Sequence, residues 1–161
     1  MDTPKRKPNR LPDFDYSTPG AYFITICTKD RCNLFWVDVG ASIARPQLTT
    51  WGKITAASIC DIPKHYPAIS VDHYVVMPNH IHLLLQINTD TDGRPMVAPT
   101  ISTVIQQLKG IVTKRIGHSI WQKLYHDHII RGEQDYLKIW EYIDNNPARW
   151  KEDCFYTEDL K

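Results

Sequence analysis

Residues 71–87 read VDHYVVMPNHIHLLLQI. Two apolar, β-branched runs flank Pro78-Asn79, a turn pair in which proline presets φ and asparagine tolerates turn conformations. The spacing predicts a β-hairpin with strands near 71–77 and 80–87. Side chains on a strand alternate faces, so Ile81, Leu83, Leu85 and Ile87 fill one face, which must be core. His80 and His82 then point together to the opposite face, roughly 6–7 Å apart along the strand. Two imidazoles at that spacing can converge on one metal ion. The same pattern also fits two polar residues on the outer face of a half-buried strand, and the hairpin alone leaves both readings open.

Outward from the hairpin, residues 22–28 (YFITICT) are β-branched and aromatic and read as a strand. Thr49 or Thr50 can cap a helix running to about Asp61, ended by Pro63. Residues 102–116 carry Val104, Ile105, Leu108, Ile111 and Val112 at helical spacing, with Gly117 as the stop. Residues 120–130 read as a fourth strand. Gly132 and Glu133 open a last helix that ends near Pro147. The order β-α-β-β-α-β plus one helix predicts an α+β fold of the split-βαβ, ferredoxin-like kind, an antiparallel sheet with helices on one face and an added C-terminal helix. The expected organisation is an irregular basic arm over 1–19, one catalytic-size domain over 20–150 and a tail over 151–161.

On the last helix Tyr136, Ile139, Trp140 and Ile143 follow i, i+3, i+4, i+7 and form its buried stripe. Tyr142 lies roughly 100° away, on the flank. Asn146, four residues later, shares that flank, so a phenol and a carboxamide are presented together.

With 161 residues, 42% of them hydrophobic and 23% charged, wholesale disorder is excluded. No apolar run approaches the ~20 residues of a membrane span. The polar, basic start carries no secretory pattern, and the cytosol is expected. Four cysteines without a C-x-x-C pair read as reduced thiols. A net charge of +1 argues against binding by bulk charge. Bases are nevertheless concentrated at 1–10, beside Asp2, and at 93–126, a stretch without any acid, and acids dominate after Asp127. Lys109, Lys114 and Arg115 on the second helix, Arg131 after the fourth strand, and Arg10 in the arm are the candidate phosphate contacts.

The stretch 75–85 (VVMPNHIHLLL) closely resembles the histidine motif of the HUH single-tyrosine transposases, and 141–147 (EYIDNNP) resembles their tyrosine helix. Residues 10–16 (RLPDFDY), 20–28 (GAYFITICT), 51–53 (WGK), 121–122 (WQ) and 128–131 (HIIR) extend the likeness to the REP-associated tyrosine transposase branch, over roughly 10–155. The resemblance implies that His80 and His82 are metal ligands, that Tyr142 is the nucleophile, and that Asn146 supplies a third ligand. It implies cleavage and transfer of single-stranded DNA at the hairpins of palindromic repeats through a 5′-phosphotyrosine link.

Two imidazoles and an amide oxygen suit Mg²⁺ or Mn²⁺. A structural zinc would want four closed ligands, which are not evident. A covalent ester keeps the bond reactive, so no nucleotide cofactor is expected, and no G-x-x-x-x-G-K-[ST] loop occurs. Expected partners are single-stranded or hairpin DNA and no membrane, with the chain a monomer or homodimer. His126, His128 and Asp144 are candidate general bases. The alternatives are a non-catalytic nucleic-acid-binding module of the same fold, or a replication-initiator or relaxase-type nuclease.

Overall fold

The computed structural model describes residues 10–37, 46–90, 92–94 and 97–158. Residues 1–9 of the basic arm, and 159–161 at the other end, lie outside them. The hairpin forms as its alternation requires, with β2 over Ile69–Val76 and β3 over His80–Ile87. β1 spans Gly20–Cys27 and β4 spans His126–Ile129. The sheet order is β2-β3-β1-β4, and every neighbouring pair is antiparallel. This is the expected split-βαβ arrangement, with β3 and β1 at its centre.

Helices α1 (Thr50–Cys60) and α3 (Ile101–Ile116) cover one face; a short α2 (Ile62–His65) follows α1. Tyr22, Ile24 and Ile26 of β1 meet Ile81, Leu83, Leu85 and Ile87 of β3 there, under Ile59 of α1 and Val104, Ile105, Leu108 and Val112 of α3. Full burial of each such side chain contributes about 1.5–3 kcal/mol, which makes this layer the main source of stability. Thr49 and Thr100 cap the two helices through their hydroxyls. Gly52 in the first turn of α1 is tied to a close approach, since a Cβ there would stand 2.5 Å from the Phe35 carbonyl oxygen. Gly117 ends α3 in the left-handed conformation, at φ 102°.

α4 (Glu133–Asn145) crosses the other face. Its stripe of Tyr136, Ile139, Trp140 and Ile143 packs on Ala21, Phe23, Val75 and Leu84. Two imidazole–carboxylate pairs tie it down at both ends. His128 of β4 meets Asp135 at 2.8 Å, and His73 of β2 meets Asp144 at 2.7 Å.

Two boundaries differ from the sequence reading. The fourth strand covers four residues, not 120–130. Trp121 makes a single bridge to Thr28, and the Lys109 ammonium then draws the carbonyls of Gln122 and Lys123 off the ladder, at 2.8 and 3.4 Å. Pro63 does not end α1. The first helix stops at Cys60, and the proline sits in the first turn of α2, where its missing N–H costs nothing. All four cysteines are free thiols, Cys27 being buried in β1. Among the described residues no helix is long and apolar enough to cross a membrane.

Candidate functional site

The Pro78-Asn79 turn is held from three sides. The backbone N–H groups of Leu34 and Phe35 donate to the Pro78 carbonyl, and that of Thr28 donates to the Asn79 carbonyl. β3 therefore starts at a fixed place, and His80 and His82 face the α4 side of the sheet. They are not on an open surface: they are 0% and 1% exposed. Phe155 lies 4.7 Å from the His80 ring and Trp150 lies 6.0 Å from it, between ring centres.

The two Nε2 atoms are 3.0 Å apart. The Asn79 amide nitrogen donates to the carbonyls of Phe155 (2.8 Å) and Arg31 (3.3 Å), which leaves its Oδ1 as an acceptor for His80 Nδ1 at 2.8 Å. His80 therefore carries its proton on Nδ1 and presents a bare Nε2. His82 Nδ1 is paired with the Thr25 hydroxyl at 2.8 Å, which turns its Nε2 to the same point. Burial pushes His80 down to about 4, against the opposing pull of Asp153. Burial, and then the neighbouring His80, hold His82 well below the ordinary histidine range. Both rings are neutral at pH 7, the form that ligates a metal.

The end of α4 completes the cluster. Asn146 is buried, its Nδ2 donates to Asp153 at 2.8 Å, and its Oδ1 is buried without a donor. An acceptor left unpaired in this way costs about 1–3 kcal/mol. The buried Asp153 carboxylate stands 3.9 Å from His80 Nε2, and ligand atoms of His80, His82 and Asp153 all lie within 4.8 Å of one another. The bare His80 Nε2 facing His82 Nε2, a carboxylate and an orphaned amide oxygen make a mixed nitrogen and oxygen donor set that a divalent cation accepts, so the residues present fit a metal. His80, His82 and Asp153 form the candidate metal-binding cluster.

Asp153 was not among the residues the sequence pointed to, because 151–161 read as a tail. The run Asp-Cys-Phe-Tyr at 153–156 is too apolar for a solvated tail and was the available signal. Phe155 and Thr157 instead return to the Asn79 side chain and close the site.

Tyr142 stands beside the cluster, as its flank position required. Its ring centre is 5.3 Å from that of His82 and 6.0 Å from that of Phe23, and the residue is 40% exposed. Burial, then the charges of Asp153 and Cys154, push its phenol up to about 12, while Asn146 pulls the other way. It opens onto a cleft of about 600 Å³ that Lys138, Arg149, Asn146 and Asp153 also line. Tyr136, on the buried stripe, donates its hydroxyl to Asp72 at 2.8 Å.

The candidate phosphate contacts are not gathered here. Lys109 and Arg115 belong to the helical layer behind the sheet. Lys109 holds the 122–123 loop, and Arg115 binds Ser58 (3.0 Å) and Asp61 (3.4 Å). Lys114 is exposed on the same helix. Arg10 lies over the Tyr125 ring and donates to its hydroxyl, and Arg131 is exposed where β4 meets α4. Lys109→Met is therefore expected to cost about 1–3 kcal/mol in urea denaturation, by stripping two carbonyls of their donor, and to leave the salt dependence of DNA binding unchanged. A shallower salt slope in that variant would return Lys109 to the DNA. Among the candidate bases, His128 and Asp144 are committed to the two tethers of α4. His126, paired in register with Thr25, faces the site side, with its ring 6.4 Å from Phe155.

No family model matches the chain. A Haemophilus influenzae protein of uncharacterised function is 32% identical over 172 residues, which cover 95% of this chain and 94% of that one. A second protein of that organism, provisionally described as a REP-associated tyrosine transposase, is 26% identical over 143 residues, 84% of this chain and 74% of the other. The solved structure of a REP-associated tyrosine transposase bound to a REP hairpin superposes with a TM-score of 0.63 at 22% identity, covering 93% of this chain and 74% of that chain, and so has the same fold. Likeness along most of the chain to a protein provisionally described as a REP-associated tyrosine transposase, and a fold shared with a solved one, agree with the motifs at 75–85 and 141–147.

Proposed function

We propose that this chain cleaves single-stranded DNA beside the hairpins of palindromic repeats and transfers the cut strand, with Tyr142 as nucleophile. The observation that carries the reading is the convergence of His80 Nε2, His82 Nε2, the orphaned Asn146 Oδ1 and the Asp153 carboxylate next to a half-exposed tyrosine. The Tyr142 oxygen attacks phosphorus, the bond to O3′ breaks, and a 5′-phosphotyrosine and a free 3′-hydroxyl result. Attack by that hydroxyl, or another, on the ester reseals DNA and restores the tyrosine, so no nucleotide cofactor is consumed. With its phenol raised to about 12, Tyr142 is protonated at pH 7 and gives up its proton as it attacks.

His80, His82, Asn146 and Asp153 would hold a divalent ion, Mg²⁺ or Mn²⁺, which when bound polarises the phosphate. Asn79 holds His80 in the ligating tautomer, Thr25 orients the His82 ring, and Phe155 keeps water from the His80 side. Arg10, Lys114 and Arg131 remain the exposed cations suited to phosphates outside the cleft, and the cytosol is the proposed compartment.

The test is incubation with labelled palindromic hairpins carrying unpaired flanks and Mn²⁺, followed by denaturing electrophoresis. A denaturation-resistant adduct on the flanked hairpin, and little on a plain duplex, is expected. No adduct on any hairpin of the panel would overturn the reading, and equal cleavage of the duplex would remove its single-strand requirement.

A further inference from the structure

α4 and its cap carry three chemically different side chains at four-residue intervals, Lys138, Tyr142 and Asn146. Asn146 keeps helical backbone angles (φ −58°, ψ −43°), so the spacing holds to the end of the row. Residues four apart on a helix share a flank, with Cβ atoms about 5–6 Å apart. An ammonium therefore stands one turn before the phenol and an amide one turn after it, and all three residues line the same cleft. The amide end belongs to the metal-binding cluster, where Asn146 Nδ2 donates to Asp153 at 2.8 Å. Lys138 marks the other end.

The charge of the cleft sets that lysine apart. Glu141, Glu152 and Asp153 line it against the two cations Lys138 and Arg149. Arg149 is held by Glu152 at 3.0 Å. Lys138 is exposed and makes no ion pair among the described residues. Asp135, one turn back, is held low chiefly by the Arg131 N–H, then by His128, and only last by Lys138. A phosphodiester entering the cleft brings a further negative charge to these three carboxylates. Lys138 is the lining cation free to offset it, and it stands on the flank of the nucleophile. Cations placed at a transferring phosphoryl group stabilise the charge spread over its non-bridging oxygens.

Resting on the strand-cleavage reading above, we propose that Lys138 is a substrate-binding residue of the cleavage site, its ammonium gripping a non-bridging oxygen of the scissile phosphate and holding phosphorus against the Tyr142 hydroxyl. A flexible four-carbon stem rooted one turn from the phenol can lay a compact point charge there. The ammonium supplies charge and hydrogen bonds and transfers no proton, so the bonds made and broken remain those of the tyrosine attack.

The cut position is mapped first from the wild-type adduct. Single-turnover cleavage by Lys138→Gln should then be slower by about 10²-fold, as for loss of one charge-stabilising donor, with Lys138→Arg intermediate. Binding is read separately, in EDTA and in a Tyr142→Phe background that cannot cut, on flanked hairpins whose phosphates are neutralised one at a time as methylphosphonates. Neutralising the scissile phosphate should cost the protein that keeps Lys138 about tenfold more affinity than the Lys138→Gln protein. No other phosphate should show that coupling. A lysine that merely steadied α4 would change affinity alike at every position. Coupling at a different phosphate, coupling at none, or cleavage by Lys138→Gln at the wild-type rate overturns the assignment. Wild type that forms an adduct on no hairpin rejects strand cleavage itself, and this role with it.

Discussion

Tyr142→Phe should form no covalent DNA adduct at all while keeping its fold and its hairpin affinity. The phenyl ring retains the contacts with His82 and Phe23, so packing is conserved and the attacking oxygen alone is lost. Tyr136→Phe is the matched control among the eight tyrosines. It gives up the hydrogen bond to Asp72, worth about 1 kcal/mol of stability, and should leave the adduct intact. Both outcomes are read on one denaturing gel, with peptide mapping of the trapped species. An active Tyr142→Phe protein, or an adduct mapped to another tyrosine, would defeat the mechanism.

The second large effect concerns the metal. Mn²⁺ at a hundredfold excess over its Kd should stabilise the protein by about 2.7 kcal/mol, raising Tm by roughly 5–10 °C. His80→Ala, His82→Ala and the double variant should show no rise, and their cleavage should be abolished. In EDTA the wild type has a pH dependence of its own. The folded values of both histidines lie below the ordinary 6.5, so the unfolded chain binds more protons between there and about 4. Stability is then full above about 6.5 and falls as the pH drops toward 4. A Tm that rises with Mn²⁺ in the double variant, or undiminished cleavage by it in EDTA, would remove the ion from these residues.

The hairpin, the two helices behind it and the tyrosine helix were legible because each is a local pattern: alternation at 80–87, helical spacing at 102–116, a stripe and a flank at 136–146. The sequence also pointed to His80 and His82, whose identity as neighbours is fixed by strand geometry alone. Their burial was not legible. It depends on Phe155 and Trp150, which reach them from the far end of the chain. Asp153 escaped for the same reason, since it follows the tyrosine helix in a stretch that read as a tail. Lys109 shows the opposite limit: its charge was visible, but its direction, inward to the 122–123 carbonyls, is a tertiary property. The shortened β4 is the backbone side of that same contact.

The two tethers of α4 also bear on how the molecule comes together. Ile143 is the one fully buried side chain on that helix, so its seat depends on His128 at one margin of the sheet and His73 at the other. The sequence separation of the second tether, 71 residues, is long. Contacts that close so much chain form late, after the strands they join are paired. A nascent or partly unfolded chain would therefore hold its two histidines on a finished hairpin with no tyrosine beside them. On the proposed mechanism, cutting ability would arrive with the last docking event, and hydrogen exchange should find α4 among the first segments to open.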